Sequence, residues 1–72
     1  MVHFTDNIDD LMNTEFVYIR TDIEVVIDGI PAPIGEGAVM FDQDGRFIAC
    51  SDIRSSLFYF AADHEFVIVT IQ

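Results

Sequence analysis

The run from Phe16 to Asp28, Phe-Val-Tyr-Ile-Arg-Thr-Asp-Ile-Glu-Val-Val-Ile-Asp, constrains the fold more than any other stretch of this chain. With a period of two, its odd positions are Val17, Ile19, Thr21, Ile23, Val25 and Ile27. The even positions run from Phe16 and Tyr18 through Arg20 to Asp22, Glu24, Val26 and Asp28. Successive strand residues point to opposite faces. The alternation therefore predicts a half-buried β-strand, or two consecutive strands joined by a bend near Arg20 to Asp22, with the odd face on a core. On the even face Asp22, Glu24 and Asp28 would form a row with same-face neighbours roughly 6.8 Å apart, a surface that attracts cations.

The remainder of the 72 residues must complete one domain, 1–72, near the lower size limit at which a single core suffices. Half of the residues are hydrophobic and seven are Phe. That is more apolar surface than so short a chain can easily hide, so a partner or a homodimer is expected to cover one face. Thirteen Asp and Glu against three Arg, with no Lys, leave a net charge of −10. Direct binding to nucleic acid or to an anionic membrane needs a basic footprint that is missing here, and the expected partner is instead a basic protein. Cys50 is the one cysteine, which excludes an internal disulfide and fits a reducing compartment; its apolar neighbours suggest a small buried hydrophobe. Without a signal-peptide pattern or a run approaching the ~18 apolar residues of a membrane span, the expectation is a cytoplasmic protein.

Along the chain, Thr5 to Asn13 predicts a short helix capped by Thr5 or Asp6, with Asp9 and Asp10 in its first turns. Its Ile8, Leu11 and Met12 make a stripe that should dock on the sheet, and Asp6, Asn7, Asp10 and Asn13 line the opposite face. Gly29 to Gly37, with two Pro and three Gly, predicts a loop. Ala38 to Asp42 and Arg46 to Ser51 flank Gln43-Asp44-Gly45, a hairpin signal. With Gly45 left-handed, Asp42 would oppose Arg46 as a charge pair and Phe41 would oppose Phe47. Asp52 to Asp63 is ambiguous, with a slight preference for strand carried by Leu57-Phe-Tyr-Phe60. Phe66 to Ile71 is almost unbroken in apolar β-formers, as in a strand at the middle of a sheet. The fold class expected is mainly β: a small antiparallel sheet or barrel-like fold of about five strands with a short N-terminal helix, becoming α+β if residues 52–61 are helical.

Signs of chemistry are weak. His3 and His64 are expected to be exposed polar residues, and no spacing of ligands supports a metal site. The serines lack a nucleophile motif, the glycines match no phosphate-binding fingerprint, and neither an enzyme activity nor a cofactor is expected. The Asp42-Gln-Asp-Gly45 run is no calcium loop. Aligned on Gly45, its first and twelfth ligand positions are Met40 and Ser51. What remains is binding. Asp6, Asp9, Asp10, Asp22, Glu24 and Asp28, with the aromatics Phe16 and Tyr18, are the candidate partner-contacting residues. A small acidic chain of this kind is similar in class to phage-encoded blockers of bacterial defence, such as anti-CRISPR or anti-restriction proteins. Some of these present carboxylates to a nucleic-acid-binding surface as a DNA mimic, and such a protein would act in the host cytoplasm. The alternative is an SH3-like or Sm-like module that oligomerises or binds through a strand edge, its acids serving solubility.

Overall fold

The computed structural model describes residues 2–22, 25–27, 29–32 and 37–71. In chain order the elements are β1 (Val2–Phe4), α1 (Ile8–Asn13), β2 (Phe16–Arg20), β3 (Val25–Ile27), β4 (Ile30–Ala32), β5 (Ala38–Asp42), β6 (Phe47–Ser51), α2 (Arg54–Asp63) and β7 (Val67–Ile71). Five strands form one sheet in the order β1-β6-β5-β2-β7, and β3 pairs with β4 in a separate two-stranded ladder. The class is mainly β with two helices.

The period-two reading of β2 holds. Val17 and Ile19 are fully buried, while Phe16, Tyr18 and Arg20 are exposed. The long 16–28 strand does not form; the chain leaves the sheet after Arg20 and becomes a strand again as β3, in the separate ladder, which is the two-strand form of the expectation. Residues Ile30–Ala32, expected as loop, instead pair with β3, with Val25 opposite Ala32 and Ile27 opposite Ile30. The two positions between Ile27 and Ile30 are Asp28 and Gly29, and Asp-Gly is a favoured two-residue hairpin turn. Gly29 has φ 79°, where glycine carries no Cβ penalty.

Two further expectations are corrected. The sheet is mixed and open, neither wholly antiparallel nor barrel-like: β7 runs parallel to β2 and forms an edge, so the last strand is not central. Residues 54–63 form a helix in place of the preferred strand, while the class stays mainly β. The two corrections have one cause. β2 and β6 both run antiparallel to β5, so β6 and β7 point the same way and the chain between them must return along the sheet. A ten-residue helix rises about 15 Å, close to the roughly 17 Å of a five-residue strand, so α2 makes this return in one element. Leu57 and Ala61, one turn apart, are buried on the sheet, with Phe58 and Phe60 packed beside them and Tyr59 exposed. Tertiary position thus overrides the strand preference of the Leu57–Phe60 run.

The core lies between α2 and one face of the sheet: Val17, Ile19, Ala38, Met40, Ile48, Ala49, Leu57, Ala61 and Phe66. In β6, Ile48 and Ala49 are both buried although consecutive. The register explains this, because Met40 faces Ala49 and Phe41 faces Phe47, leaving Ile48 as the extra residue of a bulge. On α1, Asn7 replaces the predicted caps by accepting the Asp9 N–H at 3.1 Å. Of the expected stripe only Leu11 packs against the core; Ile8 and Met12 face solvent.

The β5–β6 hairpin forms as read, with Gly45 at φ 83° and Phe41 opposite Phe47. The predicted Asp42–Arg46 charge pair is replaced by a tighter arrangement. The buried Asp42 carboxylate accepts the backbone N–H groups of Asp44 at 2.9 Å and Arg46 at 2.8 Å, which frees the Arg46 guanidinium to turn to Asp10 at 3.4 Å. Replacing Asp42 with Ala would strand two turn donors at a cost of about 1–3 kcal/mol, and Asp42→Asn, which keeps a carbonyl acceptor, should recover most of it in urea unfolding.

The end of α2 has the hydrogen bonds of a Schellman cap: Phe66 N–H to Ala61 O at 2.8 Å and Glu65 N–H to Ala62 O at 3.1 Å. Glu65 fills the left-handed position, with φ 60°, that glycine usually occupies, and places an anion at the negative end of the helix dipole. Glu65→Gly should therefore raise stability by about 1 kcal/mol, read as a higher urea midpoint at unchanged slope.

Candidate interaction surface

Antiparallel and parallel partners in a sheet share a face, so the register assembles the side of the sheet away from α2 row by row. Phe47, Phe41, Tyr18 and Thr70 form one row across β6, β5, β2 and β7. Phe16 and Val67 form the next, towards the start of β2. On the other side of the aromatic row lie His3, Cys50, Val39 and Arg20, across β1, β6, β5 and β2. Phe16, Tyr18 and Phe47 are 45%, 37% and 42% exposed, large values for aromatic rings on a sheet whose other face is fully packed. With adjacent strands about 4.8 Å apart, the ring-bearing positions from Phe47 to Tyr18 span roughly 10 Å, enough to hold an extended segment or one face of a helix.

Acidic residues gather where β2 begins. Arg46 ties α1 to the β5–β6 turn through Asp10, and Gln43 reinforces the contact by accepting the Glu15 N–H and donating to Asn13 O, each at 3.4 Å. Thr14, buried behind this contact, donates its hydroxyl to Asp10 O. Asp6, Asp9, Glu15 and Asp44 are exposed. The result is a negative border at the end of the sheet that carries Phe16.

The other predicted acidic row is not assembled as one strand. Glu24 and Asp28 lie outside the described residues, and Asp22 sits in the bend that ends β2. There its carboxylate takes Arg20 side-on, Nε to Oδ1 at 3.2 Å and Nη2 to Oδ2 at 2.9 Å. Hydrogen bonding to this guanidinium holds the Asp22 carboxyl below its ordinary range, and the same hydrogen bond, with the attraction between the charges, pushes Arg20 up. Of the named carboxylates, then, Asp10 and Asp22 are already paired within the chain, whereas Asp6 and Asp9 face solvent.

Phe16 and Tyr18 are exposed on this face. Phe41, Phe47 and Val67 were not singled out for it. The sequence pairs Phe41 with Phe47, but their alignment with Tyr18 depends on the β2–β5 register, which no local pattern encodes.

Of the two histidines, His64 is exposed as expected, whereas His3 is half-buried, opposite Cys50. The His64 ring stacks on Phe66, with centroids 5.3 Å apart, and meets Phe60 at a tilt, at 4.4 Å. Cys50 is half-buried, and burial raises its thiol pKa, which disfavours the reactive thiolate. Among the described residues there is no group of three or more His, Cys, Asp or Glu that could hold a metal ion, and no helix long and apolar enough to cross a membrane. No family model matches the chain, and neither a curated protein nor a solved structure matches it.

The Arg20–Asp22 geometry has a pH signature. A carboxyl whose folded-state pKa is depressed contributes stability that is present above its unfolded value, near 3.9, and lost as pH falls through the folded value. In an NMR titration, Asp22 should therefore have a lower midpoint in the wild type than in Arg20→Gln, whose side chain cannot supply the charge; equal midpoints would remove the pairing.

Proposed function

We propose that this chain is a non-enzymatic binding protein that docks on a basic protein surface of the kind that otherwise holds nucleic acid, and thereby blocks it. The observation that carries the reading is the exposure of Phe16, Tyr18 and Phe47 on one face of the sheet, on a molecule of net charge −10. Exposed aromatic rings on a rigid sheet are the usual anchors of protein interfaces, contributing contact area at little cost in side-chain entropy. Uncompensated carboxylates steer a basic partner towards them and exclude acidic ones. Cytoplasmic action, against a nucleic-acid-binding target such as a defence enzyme, fits this division of labour.

Imitation of DNA in shape is a narrower claim with less support. It would need a regular row of free carboxylates, and Asp10 and Asp22 are neutralised by Arg46 and Arg20. The reading favoured is an inhibitor anchored by Phe16, Tyr18 and Phe47, with Asp6, Asp9, Glu15 and Asp44 supplying the long-range attraction.

The test is affinity capture from a nuclease-treated bacterial lysate onto the immobilised protein, eluted with rising salt and repeated with competing DNA. Basic nucleic-acid-binding proteins should be retained, released by salt and displaced by DNA. The double variant Tyr18→Ala, Phe47→Ala should lose them at least 30-fold in affinity, as expected if one anchor contributes about 2 kcal/mol. Retention that ignores salt and DNA, or survives the double variant, would sink the proposal.

A further inference from the structure

A second surface is open on different terms. Among the described residues β7 is an edge of the sheet, bonded on one side to β2, and its sequence Val67-Ile-Val-Thr-Ile71 contains neither a charge nor a proline. Proteins commonly guard such edges with shortness, proline, charge or a bulge, and of these β7 has only the bulge. At the other edge β1 has three residues, and β4 carries Pro31, whereas β7 has five residues with Val67, Val69 and Ile71 each about half exposed. Val69, at the centre of the strand, is the residue that the register shift leaves with no position opposite it in β2, and the extra residue of a bulge has unpaired backbone groups.

We propose that β7 pairs antiparallel with β7 of a second copy, across a two-fold axis near Val69, to join the two five-stranded sheets into one of ten strands. A second copy suits this edge better than a basic partner does, because the strand offers no carboxylate for a cation to meet. The pairing is also tolerable for two chains of charge −10. Glu65, which enters β7, is exposed, and the antiparallel arrangement sets the two copies of it at opposite ends of the paired strands. Eight residue steps at about 3.3 Å separate them by roughly 26 Å. That is well beyond the ~8 Å screening length at physiological ionic strength. The two-fold places Val67 opposite Ile71 of the partner and Val69 opposite itself, an apolar match on the exposed positions of the strand, with Ile68 opposite Thr70 between them. Because the bulge bends β7 and the outer edge left on each copy is the short β1, the assembly closes at two.

The two surfaces answer to salt with opposite signs. Screening weakens attraction to a basic partner but relieves repulsion between two acidic copies. Sedimentation velocity on the full chain from micromolar to millimolar concentration, at low and at 0.5 M NaCl, should show a dimer whose dissociation constant falls with salt. Val69→Lys and Val69→Glu should each sediment as monomers, and their equimolar mixture should restore the dimer, an outcome unavailable to variants that merely fail to fold. Wild type that stays monomeric at millimolar concentration in 0.5 M NaCl overturns the proposal. So does a dimer that persists in both Val69 variants, or one lost instead in Tyr18→Ala, which would place the contact on the open face. Failure of lysate capture with an intact dimer would remove the basic-partner reading and leave this one standing.

Discussion

The parallel pairing of β7 with β2 is the contact on which the rest of the architecture depends. A sheet built only of hairpins could have ended at β6, with residues 52–71 as two more antiparallel strands. Placing β7 beyond β2 makes a crossover obligatory, and that crossover supplies the layer that covers Val17, Ile19, Met40 and Ile48. Among the described residues α2 supplies most of that layer, and β3 also approaches β6. α1 contributes only Leu11 to the core, and the opposite face of the sheet keeps its aromatic rings in solvent. Among the described residues, the topology thus leaves aromatic rings partly exposed on the face away from α2.

The sequence made local features legible and left non-local ones hidden, for a physical reason. β2, the β5–β6 turn with its left-handed glycine, and the Phe41–Phe47 pair follow from backbone preferences within a few residues. The helix at 54–63 does not, because Phe and Tyr at 58–60 favour strand intrinsically and only the need to traverse the sheet decides otherwise. The β3–β4 ladder was missed for a different reason: assigning Asp28 to the preceding strand removed it from the Asp28-Gly29 turn signal. On the candidate surface, Phe16 and Tyr18 could be read from alternation alone, whereas the rest of the row required the order of strands.

Charge shows the same limit. Composition fixes a strong negative balance but says nothing of which carboxylates remain free. Two of the three arginines are committed to Asp22 and Asp10, pairs that sequence separation of two and thirty-six residues would not suggest equally. Exposed pairs of this kind contribute little to stability, because solvent screens them and two long side chains must be held in one geometry. Their larger effect is on recognition, since each removes a carboxylate from the set available to a partner and leaves the acidic field concentrated elsewhere.

That redistribution separates the roles of the two open surfaces. The aromatic face is bordered by free acids at the end where α1, Glu15 and the β5–β6 turn meet, so apolar contact and electrostatic attraction can act on one partner together. The β7 edge has backbone hydrogen-bonding groups and aliphatic side chains with no charge within the strand, so whatever pairs there is selected by strand geometry and apolar fit. A basic protein gains little from the second surface, and an acidic copy gains little from the first. If both are used, a two-fold through β7 continues each sheet into its neighbour without covering the Phe47–Phe41–Tyr18 row, and the dimer would present two such rows to its target. Bivalent presentation raises effective affinity without any new contact whenever the target offers repeated basic sites, as a surface that tracks a regular polyanion does.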